Sequence, residues 1–162
     1  MHRRPRLTSA SPRTHHRRAT VALLLGAVGG LSACSGAVEV ADAPLAEDPA
    51  CAKVAAAWPT TVANQAVVET TGAGATVRAW GDPTIVARCG VPALTPTTEQ
   101  CIEADGLGWV VSDLSDGVRL TTYGKDPAVE ILVPEAYAPA PLLLPAFADA
   151  AAALPDNGRS CL

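Results

Sequence analysis

The sequence predicts an α+β fold: an antiparallel sheet of about five to six strands, with a helix at each end of the domain packed on one face, stapled by disulfides. Three observations carry that expectation. Short runs of apolar and β-branched residues separated by glycine, proline and aspartate turns fill residues 65–133. Apolar residues at helical spacing flank them on both sides. Beyond Cys34 there remain four cysteines, an even set suited to two bridges in a small exported domain.

The chain opens with a segment unlike the rest. Arg3, Arg4, Arg6, Arg13, Arg17 and Arg18 precede any acidic residue, and the apolar run Val21–Leu31 follows. Eleven residues, three of them glycine, are too few to cross a bilayer, which takes about 20. This is the layout of a cleaved export signal over residues 1–33. Leu31-Ser32-Ala33-Cys34 has the pattern of a lipobox, in which the Cys34 thiol is acylated and becomes the new N-terminus. The expectation is a diacylglyceryl anchor at Cys34 and a lipoprotein on the extracytoplasmic side of the cell membrane. A plain secretory signal cut after Ala33 is the rival reading.

Removing residues 1–33 discards all three histidines and half of the basic residues. Lys53, Arg78, Arg88, Arg119, Lys125 and Arg159 then face sixteen carboxylates, a formal charge of −10. Nucleic acid is therefore not an expected partner. Without histidine, Ser–His–Asp or Cys–His machinery and imidazole zinc sites cannot be assembled. No metal and no cofactor is expected.

Residues 34–49 read as the lipidated cysteine and a flexible acidic tether, because Glu39, Asp42, Glu47 and Asp48 stand among small, aperiodic residues. As a coil, some 15 residues would span roughly 20 Å. Residues 50–162 read as a single domain. Asp48-Pro49 supplies an N-cap and a first-turn proline for a helix carrying Cys51, Val54 and Trp58, and Pro59 stops it. Strands are expected at Gln65–Thr70, Thr76–Trp80 and Thr84–Arg88. A proline- and threonine-rich loop follows over Pro92–Thr98, and a short strand over Gln100–Ala104. Gly108–Ser112 and Val118–Tyr123 form a hairpin, and Ala128–Val133 adds a third strand in which Val129, Ile131 and Val133 share a buried face. After Pro141, Leu143, Phe147, Ala150 and Leu154 mark the closing helix.

Cysteine spacing favours Cys89–Cys101, closing a local loop, and Cys51–Cys161, tying the domain ends together. A metal cluster of the four is the weaker alternative, since no CxxC spacing exists.

Four strings occur in order: Ala79-Trp80-Gly81-Asp82-Pro83, Arg88-Cys89-Gly90-Val91-Pro92, Gly106-Leu107-Gly108-Trp109 and Thr122-Tyr123-Gly124-Lys125-Asp126-Pro127. With the lipobox, they resemble the actinobacterial family known as domain of unknown function 3515, over about residues 50–155. The resemblance implies an exported, envelope-associated protein and brings no activity. In that pattern arginine is common where this chain has Lys125, and basic residues precede the first string where it has Glu69-Thr70.

Trp80-Gly81-Asp82-Pro83 reads first as a turn. Its functional version is a platform, with Trp80 stacking on a sugar and Asp82 accepting its hydroxyls. Lys125 and Asp126 are expected at the exposed tip of another turn. If the two turns share an edge, Asp82, Tyr123, Lys125 and Asp126 line one groove. Arg88, on an apolar strand, requires a carboxylate such as Asp82 or Asp126 if it is buried, or else recognises an anion. Asp113 and Asp116 lack calcium-loop spacing and read as solvated turn carboxylates. The sequence thus points to a lipid-anchored binding domain for a protein or envelope glycan. Its alternative is a carboxylate-dependent envelope hydrolase using Asp82 and Asp126.

Overall fold

The computed structural model describes residues 36–162, so the expected export signal and the expected lipidation site at Cys34 lie outside the described residues. In chain order the elements are β1 (Val38–Glu39), α1 (Pro49–Ala56), β2 (Thr61–Val62), β3 (Gln65–Val68), β4 (Thr70–Thr71), β5 (Val77–Trp80), β6 (Ile85–Val91), β7 (Gln100–Ala104), β8 (Leu107–Leu114), β9 (Gly117–Tyr123) and β10 (Ala128–Pro134). A 3-10 helix over Ala140–Phe147 then runs into α2 (Ala148–Ala152). The sheet has eight strands, in the order β2-β3-β5-β6-β10-β9-β8-β7. All of its neighbours are antiparallel.

The expectation of five to six strands was short for two reasons. The two-residue strand β2 is too brief to leave a pattern, and every run read as a strand, the short Gln100–Ala104 included, joins the same sheet. The Gln65–Thr70 run divides at Glu69 into β3, which stays in the sheet, and β4. β4 leaves the main sheet to pair with β1.

The register explains the layering. Ile131 sits opposite both Ala87 and Leu120, and Leu120 opposite Val111, so one apolar row crosses four strands. Trp80, Ile85, Val129 and Trp109 continue that face, and Cys51, Val54, Leu144 and Phe147 cover it from the helical side. Asp48 caps α1 as its spacing predicts, its carboxylate accepting the Ala50 N–H at 2.8 Å. The closing helix keeps the predicted buried face, but Pro145 cannot donate a backbone hydrogen bond, and the segment is split into a 3-10 part and a short α part.

The topology also decides the disulfides, which are Cys51–Cys89 and Cys101–Cys161 rather than the pairing favoured by spacing. β10 returns to lie beside β6, so β10, β9 and β8 separate β6 from β7. Cys89 and Cys101 are thereby held about 19 Å apart at ordinary strand spacing. They also face opposite ways. Cys89 points into the helical layer against Cys51, while Cys101 lies in the row Glu130-Thr121-Val110-Cys101 on the second face. The two loops close 38 and 60 residues, each contributing about 4 kcal/mol in the chain-entropy account.

The expected tether takes a different form. Val38–Glu39 pairs in parallel with Thr70–Thr71, and Asp42 accepts the Gly74 N–H at 3.0 Å. Leu45 then donates to the Gly90 carbonyl at 2.8 Å. Gly90 has φ +102°, and a β-carbon on it would overlap the backbone of Leu45 and Ala46. That close approach lets the strap round the end of β6 before α1 begins. These contacts are tertiary, which is why low hydrophobicity in the segment itself did not foretell them.

Candidate functional site

Trp80 is fully buried and is not a ligand platform. It ends β5 on the core face, where its ring meets Phe147 edge-on at 5.4 Å and Trp58 at 6.4 Å. Its Nε1 donates to the Pro59 carbonyl at 3.1 Å, so its polar edge is satisfied inside the fold. Asp82, two residues on, is exposed in the β5–β6 turn.

Asp82 and Asp126 do not share a groove. The Asp82 turn leads into Ile85 at the start of β6, whereas the Asp126 turn leads into Ala128, which pairs with Val91 at the other end of β6. Six residues of strand correspond to about 20 Å, well beyond the roughly 5–10 Å between the carboxylates of a glycosidase. The hydrolase reading therefore loses its carboxylate pair.

Arg88 finds its carboxylate elsewhere. It lies directly opposite Glu130 on the second face, Nε to Oε1 at 2.7 Å. Arg119 approaches the other oxygen of Glu130 at 3.3 Å without forming a hydrogen bond through Nε. Alternation in β10 marks Glu130 as solvent-facing, yet it is only 5% exposed. Asp82 and Asp126, the partners expected for Arg88, both sit in turns away from this cross-strand position. The cluster is a structural clamp across neighbouring strands.

Lys125 is likewise not at an exposed tip. It is buried, with Nζ 2.7 Å from Asp156 and donating to the Leu154 carbonyl at 3.1 Å. Around it the C-terminal tail folds back onto the β9–β10 turn. Asp126 N–H donates to Pro155, Asn157 N–H to Gly124, and the Asn157 side chain to the Lys125 carbonyl. Gly124 has φ +89°, and a β-carbon there would overlap the Arg159 carbonyl. The turn sequence could not announce this, because the residues that bury Lys125 come some thirty positions later.

The tail builds the wall of a groove on the second face. Gly158–Leu162 stands on one side and Pro96–Glu99 on the other, with Tyr123 and Cys101 between them, enclosing about 520 Å³. Glu99 is fixed there by Ser112, whose hydroxyl donates to Oε2 at 3.2 Å. An adjoining polar recess of about 180 Å³ is shared by Glu103, Tyr123, Lys125, Asp156 and Arg159. Of the six residues singled out from sequence, the structure brings Tyr123 and Lys125 together here. Asp126 is in the same turn with its side chain exposed, and Trp80, Asp82 and Arg88 are elsewhere. Thr97, Glu99 and Arg159 carry no motif and become neighbours only through the tail.

The groove and the adjoining recess meet β7, the last strand of the sheet, at Cys101 and Glu103. Asp105 and Gly106, both with positive φ, form the tight β7–β8 turn. In the ladder that this turn sets, Cys101 and Glu103 direct their backbone groups toward the open side. Among the described residues, no three His, Cys, Asp or Glu side chains are grouped to hold a metal ion, and no helix is long and apolar enough to cross a membrane.

No match was found among curated proteins or among solved structures. A family model does match, over residues 18–157, which include both turn motifs, the Arg88–Glu130 clamp and the 96–99 side of the groove but not its Gly158–Leu162 wall. On that match the chain belongs to the family described as protein of unknown function, DUF3515.

Proposed function

We propose that this chain is a lipid-anchored extracytoplasmic binding domain, and that its groove beside β7 receives an extended segment of an envelope protein. One observation carries the reading: β7, the last strand of the sheet, contributes Cys101 to the groove walled by the tail and the 96–99 loop and Glu103 to the adjoining recess, and both residues turn their backbone groups to the unpaired side. An extended peptide can pair with such an edge through its backbone and place alternate side chains in the adjoining concavity. The concavity is of the size that takes a few side chains. The signal pattern and Cys34 supply the address.

Photo-crosslinking in native envelopes tests it. A cross-linking residue at Glu103 or Thr97 is expected to trap one discrete envelope polypeptide. The same residue at Asp82, at the opposite end of β6, is expected to trap none. Equal adducts from Asp82, or none from Glu103 and Thr97, would overturn the reading.

A further inference from the structure

The strap before α1 leaves almost no free leash. Val38 N–H donates to the Glu69 carbonyl and Val40 N–H to Thr71, both at 2.9 Å. Asp42 accepts from Gly74 and from the Thr76 hydroxyl, Ala43 is buried, and Val40 packs against Val77, Ala79 and Val86. Leu45 is bonded to Gly90, and the Cys51–Cys89 bridge follows. Every stretch from Val38 to Cys51 is thus fastened to the domain. Four peptide steps separate Cys34 from Val38, a reach of at most about 14 Å.

We infer that the domain is held directly against the bilayer, with the β1–β4 ridge as its membrane-proximal surface and the β7 edge pointing away. This rests on the lipidation of Cys34 proposed above. β4 abuts β5, and β7 stands five strand positions from β5 in the sheet. At ordinary strand spacing that is about 24 Å. Charge does not create the contact, since the exposed ridge residues Glu39 and Glu69 would be repelled by anionic head groups. The anchor and the strap create it. The consequence is directional. The groove and β7 meet partners lying above the membrane at a fixed, short height, and cannot search across the envelope as a tethered domain would.

The test uses mature protein purified from membranes and reconstituted in phosphatidylcholine vesicles that contain a head-group-labelled acceptor lipid. With four cysteines in disulfides and Cys34 lipidated, a cysteine introduced as Thr71→Cys or Glu103→Cys is the one free thiol for a donor dye. Energy transfer to the membrane is expected to be at least twofold higher from position 71 than from position 103. Inserting 15 Gly/Ser residues between Ser35 and Gly36 adds a coil of about 21 Å and is expected to bring the ratio toward one. A ratio of one in the original chain, or a ratio that the insertion leaves unchanged, would overturn the inference. Intact mass keeps the two readings apart. Protein without the lipid defeats the anchor and this orientation together, whereas lipidated protein with a ratio of one defeats the orientation alone.

Discussion

Arg88 and Glu130 face each other directly across β6 and β10, with Nε 2.7 Å from a carboxylate that is almost completely buried. Arg119 shares the same carboxylate from β9, at 3.3 Å and with its own side chain 44% exposed. Removing Glu130 leaves two guanidinium groups facing each other, while removing Arg119 leaves the shorter pair intact. Glu130→Ala is expected to cost about 3 kcal/mol and Arg119→Ala under about 1 kcal/mol in urea unfolding. Equal costs would mean that the clamp is not centred on Arg88.

The Trp58, Trp80 and Phe147 rings form the heart of the helical layer. Trp80→Ala is expected to cost about 3–5 kcal/mol, through the cavity and the Pro59 carbonyl left without its donor. Thermal unfolding measures it. A variant that kept its melting temperature would restore the surface-platform reading of this tryptophan.

Cys51 and Cys89 are fully buried, whereas Cys101 and Cys161 are partly exposed beside the groove. Mild reductant is expected to open Cys101–Cys161 first, releasing the tail while the helical layer stays folded. Non-reducing peptide mapping with timed alkylation follows it. A peptide linking Cys89 to Cys101 would contradict the topology itself.

Much of this architecture is legible in the sequence. The Asp48-Pro49 cap, the Gln100–Ala104 strand, the alternation of Val129, Ile131 and Val133 and the Leu143–Leu154 face are written in local chemistry, and the structure has them in those places. What local chemistry does not carry is the return of β10 beside β6. That step moves Cys89 away from Cys101, brings Glu130 to Arg88, and sets Asp82 and Asp126 at opposite ends of a strand. The strap and the tail were hidden for a related reason. Each is ordered by a glycine far along the chain, Gly90 for one and Gly124 for the other, where the missing side chain lets a terminus lie against a strand end.

Gly90→Ala tests the strap side of that symmetry. The added carbon must displace Leu45 and Ala46, so hydrogen exchange over residues 38–46 is expected to accelerate at least tenfold. Lys125→Met tests the tail side, where exchange over residues 155–161 is expected to rise after loss of the Asp156 and Leu154 contacts. Unchanged protection in either segment would show that the termini hold by other means.

Location at the membrane and presentation of the groove both depend on the chemistry at Cys34, and intact-mass and N-terminal peptide analysis of protein from cell membranes reads it directly. The expected result is a chain beginning at Cys34 with a diacylglyceryl group on sulfur. A chain beginning elsewhere, or an unmodified Cys34, would contradict it.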